Sequence, residues 1–511
     1  MKIRYLIYLF IIFLFSIYIG FGFIYFNWYT HIISPNKILQ NKAAKRIVDI
    51  IGHSKFSKAY SFNAPFLSTT SEYKFVFSEK DKLVNDSVIN VAMNGKQTFS
   101  FRDDLRIWQK ASFITPEGIY KIKYKFHGTS LTPYYSGHAS FKIKSKHPIN
   151  GMKSFRLYSM MEGPYIRIFI NNLAKKNGLI CESIGSYMPV SGYNGTKLYL
   201  QSSGFSDDYL RTNYNIENPI RFKSNDEWYH SNRVHVNNLD GIGYAIEWNG
   251  DLPLDTVEKS YLDKFIKIRS GDENYLSSRN YKYFGKYLAL LYFFGHPHQV
   301  TGDNDTWISI NNSLLPIYRN EGHIDALNFN KDQLDNLFWD MYYSTKTLTP
   351  YKKVLLDDSV RHYRNQLFNK LVLDKDLLIN QLDSIFEYWE ESLFKYNEAY
   401  YKIKKEHQFY KENIEHNINL ISNYLQVTEL ASYIHSDTIS VAVDAYVDIE
   451  VIINNRLFSV INPRKFSLKE EKIVSTIINH NLYCPEEIEE IIFRNSITKD
   501  TISNERLLLI Y

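Results

Sequence analysis

The sequence predicts an α+β fold, on three observations. Short runs of alternating apolar and polar residues recur between Tyr73 and Leu200 and are separated by Asn-Gly pairs at Asn94-Gly95 and Asn194-Gly195, the pattern of strands joined by tight hairpins. A single amphipathic segment interrupts them, opening at Pro164 and ending at Asn177-Gly178, as helices begin and end. Beyond residue 330 the period changes to that of long helices, with Leu378, Leu382, Ile385 and Trp389 on one stripe.

Taken in order, Tyr5 to Phe26 is free of charge. At about 1.5 Å per residue it is long enough to span a bilayer core of about 30 Å. Lys2 and Arg4 precede it, Trp28 and Tyr29 follow it, and no small-x-small cleavage site is present, so an uncleaved membrane anchor over 1–30 is expected. A basic connector and a small β-module are expected over 31–114, with Tyr73–Phe77 and Val88–Met93 as strands. A mixed core follows over 115–335: strands at Tyr120–Phe126, Ser140–Lys144 and Lys153–Tyr158, the helix from Pro164, and a hairpin of Tyr187–Val190 with Lys197–Leu200. A helical region over 336–430 and a small α/β tail over 431–511, with a turn at Asn454-Asn455, complete the chain.

The 511 residues hold 60 Lys and Arg against 55 Asp and Glu, a formal charge of +5. That balance does not by itself point to nucleic acid, and no nucleic-acid partner is expected. Cys181 and Cys484 fit no metal spacing.

The densest polar stretch is His296 to Gly322, lying between an apolar helix over Tyr283–Phe294 and strand-like runs at Thr306–Ile310 and Leu314–Tyr318. A polar loop fixed between rigid elements can hold a metal or a phosphate. It can equally be a solvated connection. A zinc site from His296 and His298 would need a third ligand that the spacing does not offer.

Several runs resemble, in order, the spore-coat CotH kinase family. They are Lys-Phe-His-Gly-Thr-Ser from Lys125, Ala-Ser-Phe-Lys-Ile-Lys-Ser-Lys from Ala139, Gly-Met-Lys-Ser-Phe-Arg-Leu from Gly151, and Asn-Gly-Thr-Lys-Leu-Tyr-Leu from Asn194. Asn218-Pro-Ile-Arg-Phe222 is similar to a Gly-Pro-Ile-Arg-Phe run of the family's membrane-associated branch, found near surface-polysaccharide genes. His298-x5-Asn304 and Leu315-Pro-Ile-Tyr-Arg-Asn-Glu-Gly322 are similar to its His-x5-Asn and Leu-Glu-Pro-Ile-x-x-Asp-Gly elements. The resemblance implies an atypical protein-kinase-like core that transfers phosphate from ATP to a protein or glycan hydroxyl in surface-polysaccharide or envelope assembly.

Phosphoryl transfer asks for a cation on the phosphates, oxygen ligands for the metal and a group near the nucleophile. The resemblance assigns Asn304 and Glu321 to Mg (or Mn) and His298 to positioning the acceptor; Asp303 and Asp305 lie beside them as catalytic base and further metal ligand. Lys142 and Lys144, two residues apart on one strand face, are candidates for ATP phosphates. Lys153 and Arg156 are further candidates, and His127 and His138 stand where the family tends to have basic residues. Departures are Glu321 for Asp, Gln201-Ser202-Ser203 where glutamates are expected, and His138 for Lys. They leave open an inactive relative that acts as a scaffold or binding protein. A carbohydrate-active enzyme would need two carboxylates about 5 to 10 Å apart. The expected location is the cell membrane, single-pass, with the main domain outside the cytoplasm.

Overall fold

The computed structural model describes residues 73–94, 107–127, 140–159, 164–192, 195–217, 219–225, 234–236, 244–248, 256–269, 278–296, 306–310, 313–319, 322–327, 357–396, 400–427, 429–435, 438–445, 447–462, 478–483, 487–503 and 507–509. They fall into two compact units. The first comprises the described residues up to Asn172, then Glu182–Asn215 and Gln381–Phe409; the second comprises Leu173–Cys181, Ile216–Asn380 and Tyr410 onward.

In the first unit the elements are β1 (Tyr73–Val76), α1 (Glu79–Asn94), β2 (Gln109–Thr115), β3 (Gly118–His127), β4 (Ser140–Ile149), β5 (Met152–Ser159), α2 (Pro164–Lys176, the first part of it in this unit), β6 (Ile184–Gly192), β7 (Gly195–Ser202) and α3 (Asp207–Tyr214). The strands form a closed barrel in the order β1-β2-β3-β4-β5-β7-β6. Neighbours pair antiparallel except at the seam, where β1 and β6 run parallel with Tyr73 opposite Val190. The expected kinase-like core is therefore corrected. The strands assigned to it join β1 and β2 in one barrel, and closure leaves no strand edge with unpaired backbone groups. Among the described residues no helix is long and apolar enough to cross a membrane; the run Tyr5–Phe26 lies outside the described residues.

Alternation places every second side chain inside the barrel. Phe75 is the centre of the packing, its ring 5.0 Å from Phe113 and 5.2 Å from Phe141. Phe77 meets Tyr124 at 5.3 Å and Phe126 meets Phe141 at 5.6 Å. Offset and edge-on rings at these separations fill the lumen with side chains that each stabilise by roughly 2–3 kcal/mol on burial.

Val88–Met93, expected as a strand, lies in α1 instead. Ser78 and Asp81 start this helix reciprocally: the Asp81 amide donates to Ser78 Oγ at 3.1 Å and the Ser78 amide to Asp81 Oδ2 at 3.3 Å. Such a box satisfies two of the orphan amides of a first turn, and the apolar alternation further on does not override it. α1 also brings Asn85 to the barrel. Asn85 Nδ2 donates to Tyr124 Oη at 2.8 Å, Tyr124 Oη donates to Gln109 Oε1 at 3.2 Å, and Gln109 Nε2 donates to Asn85 Oδ1 at 2.8 Å. The cycle is closed and buried. Burial pushes the Tyr124 phenol up to about 12, against the lowering effect of the Asn85 bond and with a further raise from Asp81, so the hydroxyl stays protonated as a donor.

The second unit contains β8 (Arg221–Asn225), β9 (Val234–Val236), β10 (Tyr244–Trp248), α4 (Thr256–Arg269), α5 (Ser278–Phe294), β11 (Thr306–Ile310) and β12 (Ser313–Pro316). The sheet order is β12-β11-β8-β10-β9. Trp307 is fully buried between Phe284 and Phe265 at 5.5 and 5.8 Å. The helical region forms α6 (Asp358–Leu373), α7 (Lys375–Tyr396) and α8 (Tyr400–Leu425), of which Gln381–Phe409 belongs to the first unit. Gly285 lets α5 and α6 touch, since a Cβ there would lie 2.6 Å from that of Tyr363. At the C-terminal end β13 (Glu429–His435), β14 (Thr438–Asp444), β15 (Ile449–Ile453), β16 (Arg456–Ile461), β17 (Ile478–Tyr483), β18 (Ile491–Asn495) and β19 (Leu507–Leu509) make two sheets, β17-β14-β13-β19 and β16-β15-β18. The expected Asn454-Asn455 turn joins β15 to β16, both residues left-handed with φ of 49° and 61°.

The closed amide–phenol cycle generates a prediction. Asn85→Ala removes one member and leaves Gln109 and Tyr124 buried with unmet groups, so unfolding in urea should show a loss of roughly 1–3 kcal/mol. Gln109→Ala should cost a similar amount, and the double variant clearly less than the sum. Strict additivity would mean that the three groups do not act as one network.

Candidate functional site

Two polar constellations emerge, one in each unit. In the second, α5 ends at Phe294 and the chain turns at Gly295, whose φ is +67° and whose Cβ position would lie 2.9 Å from Asp325 Cβ. His296 follows, fully buried. Its Nε2 lies 2.6 Å from the His323 carbonyl and its Nδ1 3.3 Å from Tyr318 Oη. One tautomer fits both contacts: Nε2–H donates to the carbonyl and Nδ1 accepts from the phenol.

The Ile317 amide donates to the Thr306 carbonyl at 2.7 Å. From α8, Asn413 Nδ2 donates to the Ile324 carbonyl at 2.7 Å. Asn417 donates to the Phe293 and Asp325 carbonyls at 2.9 Å each and accepts from the Leu327 amide at 2.8 Å. The described residues on both sides of 297–305 and of 320–321 are thus fastened to one another.

In the first unit the wall of β5 and β7 carries a buried ion pair. Arg156 on β5 stands opposite Ser202 on β7. Its Nη1 donates to Tyr158 Oη at 2.9 Å and to Glu182 Oε2 at 3.2 Å. Ser202 Oγ donates to the same carboxylate oxygen at 2.7 Å, and Tyr158 Oη donates to it at 3.3 Å. Arg167 of α2 lies 4.5 Å over the Tyr158 ring, and Asn171 Nδ2 donates to the Glu182 carbonyl at 3.1 Å. Burial pulls the Arg156 guanidinium down, but Tyr158 and Glu182 more than offset it and hold it above its ordinary value. Burial pushes the Tyr158 phenol up, and the two arginines only partly counter this. The result is a fixed guanidinium–carboxylate pair with a neutral phenol as an additional donor.

The wall of β2 to β4 has the opposite character. Lys123 stands opposite Lys110 on one side and Lys144 on the other. One row along, Lys142 stands between Lys125 and Arg156. Lys121 and Lys146 lie on the same strands in the same alternation. The Nζ atoms of Lys125 and Lys144 lie 5.3 and 5.0 Å from the centre of the Trp108 ring. Counted over β2 to β5, eight lysines and one arginine occur with no aspartate or glutamate.

Lys142 and Lys144 do share a face, as expected from their spacing. Lys142 is half-buried and Lys144 exposed, and both belong to this lysine wall in the first unit. His298, Asp303, Asn304, Asp305, Glu321 and His138 lie outside the described residues. Among the described residues no group of three His, Cys, Asp or Glu could hold a metal ion. Gln201, Ser202 and Ser203 are buried, and Ser202 donates to Glu182 beside Arg156. His127 packs its ring 5.6 Å from Tyr158. His296 is bonded to a carbonyl and a phenol, and its ring nitrogens are engaged within the protein.

Sequence reasoning missed Glu182, Tyr158, Asn413 and Asn417. For the two asparagines a signal existed: they sit four apart on the stripe of Ile414, Ile418 and Ile421, where an amide has no reason to be unless it has a buried partner. For Glu182 none existed, because it follows α2 in a connection without period.

Glu182→Ala should lower stability by roughly 3–5 kcal/mol, because it leaves the Arg156 cation buried without its carboxylate. Glu182→Gln, still able to accept from Ser202, should cost less. Guanidinium denaturation of both variants would measure this, and an alanine variant within about 0.5 kcal/mol of the parent would refute the pairing role.

No family model and no curated protein matches this chain.

Proposed function

We propose that the chain is a binding protein of the cell envelope that holds a polyanionic partner on the lysine wall of its barrel. One observation carries the reading: β2 to β4 contain seven lysines and no carboxylate, in a chain whose whole formal charge is +5. Cross-strand neighbours of like charge destabilise a sheet, by roughly 0.2–1 kcal/mol for each direct pair. The Lys110–Lys123–Lys144 row therefore carries a repulsion between neighbouring strands. An anion bound across it relieves that repulsion and releases counterions. The envelope location rests on the uncharged run Tyr5–Phe26, and an anionic glycan in surface-polysaccharide assembly is among the partners with the required charge.

The full chain should bind long-chain polyphosphate, a soluble probe of the charge, with an affinity that falls steeply with salt in anisotropy titrations. Lys123→Glu with Lys144→Glu should weaken it at least tenfold, by about 1 kcal/mol for each charge near the surface. An unchanged affinity would remove the lysine wall from the function.

A second reading, transfer of phosphate from ATP with Mg, is favoured by the junction at His296. It fastens together the described residues flanking Asn304, Asp305 and Glu321. Calorimetric titration of ATP with magnesium into the full chain should then give micromolar binding that is lost in both Asn304→Ala and Glu321→Ala. No heat from the folded protein would leave the binding role alone.

A further inference from the structure

We propose that the partner of the lysine wall is an anionic lipid leaflet, on which the barrel lies with Trp108 at the headgroup level. This rests on the polyanion reading above and narrows it. The first argument is the layout of the charges. Strands stand about 4.8 Å apart and same-face residues along a strand about 6.7 Å apart. Lys110, Lys123 and Lys144 form one row across three strands, and Lys125 and Lys142 form the next. Lys121 extends the grid along β3 on the other side of Lys123. A charged plane meets such a grid at all its points, whereas a linear polyanion follows one row or one strand.

The second argument is the aromatic at the margin. Trp108 is 38 % exposed and its neighbour Ile107 is 49 % exposed. Two ammonium groups lie over the Trp108 ring. At these distances they compete with a sugar or a base for the ring, whose stacking is the usual role of an aromatic in soluble glycan or single-strand recognition. An exposed indole and an isoleucine bordering a set of lysines match instead the composition of surfaces that rest at a membrane interface.

The test uses the full chain reconstituted in nanodiscs, either of neutral phosphatidylcholine or containing about one-third phosphatidylglycerol, with pulse labelling by an amine-reactive reagent read by mass spectrometry. Lys121, Lys123 and Lys144 should label at least fivefold more slowly on the anionic discs. Lys405, exposed on α8, should label alike on both. High salt should abolish the protection, and Trp108→Ala should reduce it. Equal labelling on the two discs would overturn the lipid proposal. Adding polyphosphate to the neutral discs separates the two claims. Protection by polyphosphate but not by anionic discs would overturn the lipid partner and keep the polyanion reading, and protection by neither would overturn both.

Discussion

The outside of a closed barrel is where its neighbours are decided, and in the first unit that constraint organises everything else. The lumen is filled by rings from β1 to β4 and β7, so each strand is obliged to send its alternate side chains outward. Where α2 lies over β5 and β7, an outward residue loses water. Arg156 is held there by Tyr158 and Glu182, to which it donates at 2.9 and 3.2 Å, while Ser202 donates to the same carboxylate at 2.7 Å. Where β2 to β4 face solvent, the same alternation yields lysines and needs no carboxylate. One wall holds a buried ion pair; the other gathers lysines, among them the exposed Lys110, Lys121, Lys123 and Lys144.

The second unit answers a different constraint. Segments without regular structure carry backbone groups that must be paired, and here buried side chains pair them. His296 fixes the His323 carbonyl, and Asn413 and Asn417 reach from α8 to four backbone groups of the same neighbourhood. Buried amides and an imidazole are costly unless fully bonded. Their concentration at the boundaries of 297–305 and 320–321 marks a place where chain geometry is imposed by tertiary contacts. Local propensity has little part in it.

That distinction explains how much was legible in the sequence. β3 to β7, the helix from Pro164 to the Gly178 turn, α5 and the Asn454-Asn455 hairpin follow from local signals of period, proline and glycine, and they form close to where those signals place them. Closure of the barrel does not, because the parallel β1–β6 seam joins residues more than a hundred positions apart and leaves no mark in either strand. α1 misled because Val88–Met93 alternates, while the decisive signal was Ser78 and Asp81 ten residues earlier. The lysine pair at 142 and 144 was visible as a same-face pair. Its extension into a grid depended on register, which sets Lys123 between Lys110 and Lys144 and cannot be read from any one strand.

Total charge conceals such a face. A +5 chain looks balanced because its carboxylates lie elsewhere in the chain, and only pairing gathers the cations. Lysines on strands often have a humbler role, discouraging edge-to-edge association. That explanation needs an edge, and β2, β3 and β4 have none: each is paired on both sides in a closed barrel. Protection of an edge therefore does not account for these lysines. Like charges gathered by register and not needed to guard an edge are what a surface suited to a charged partner would show, and this is why the proposal above rests on the lysine wall more than on the ion pair beside it.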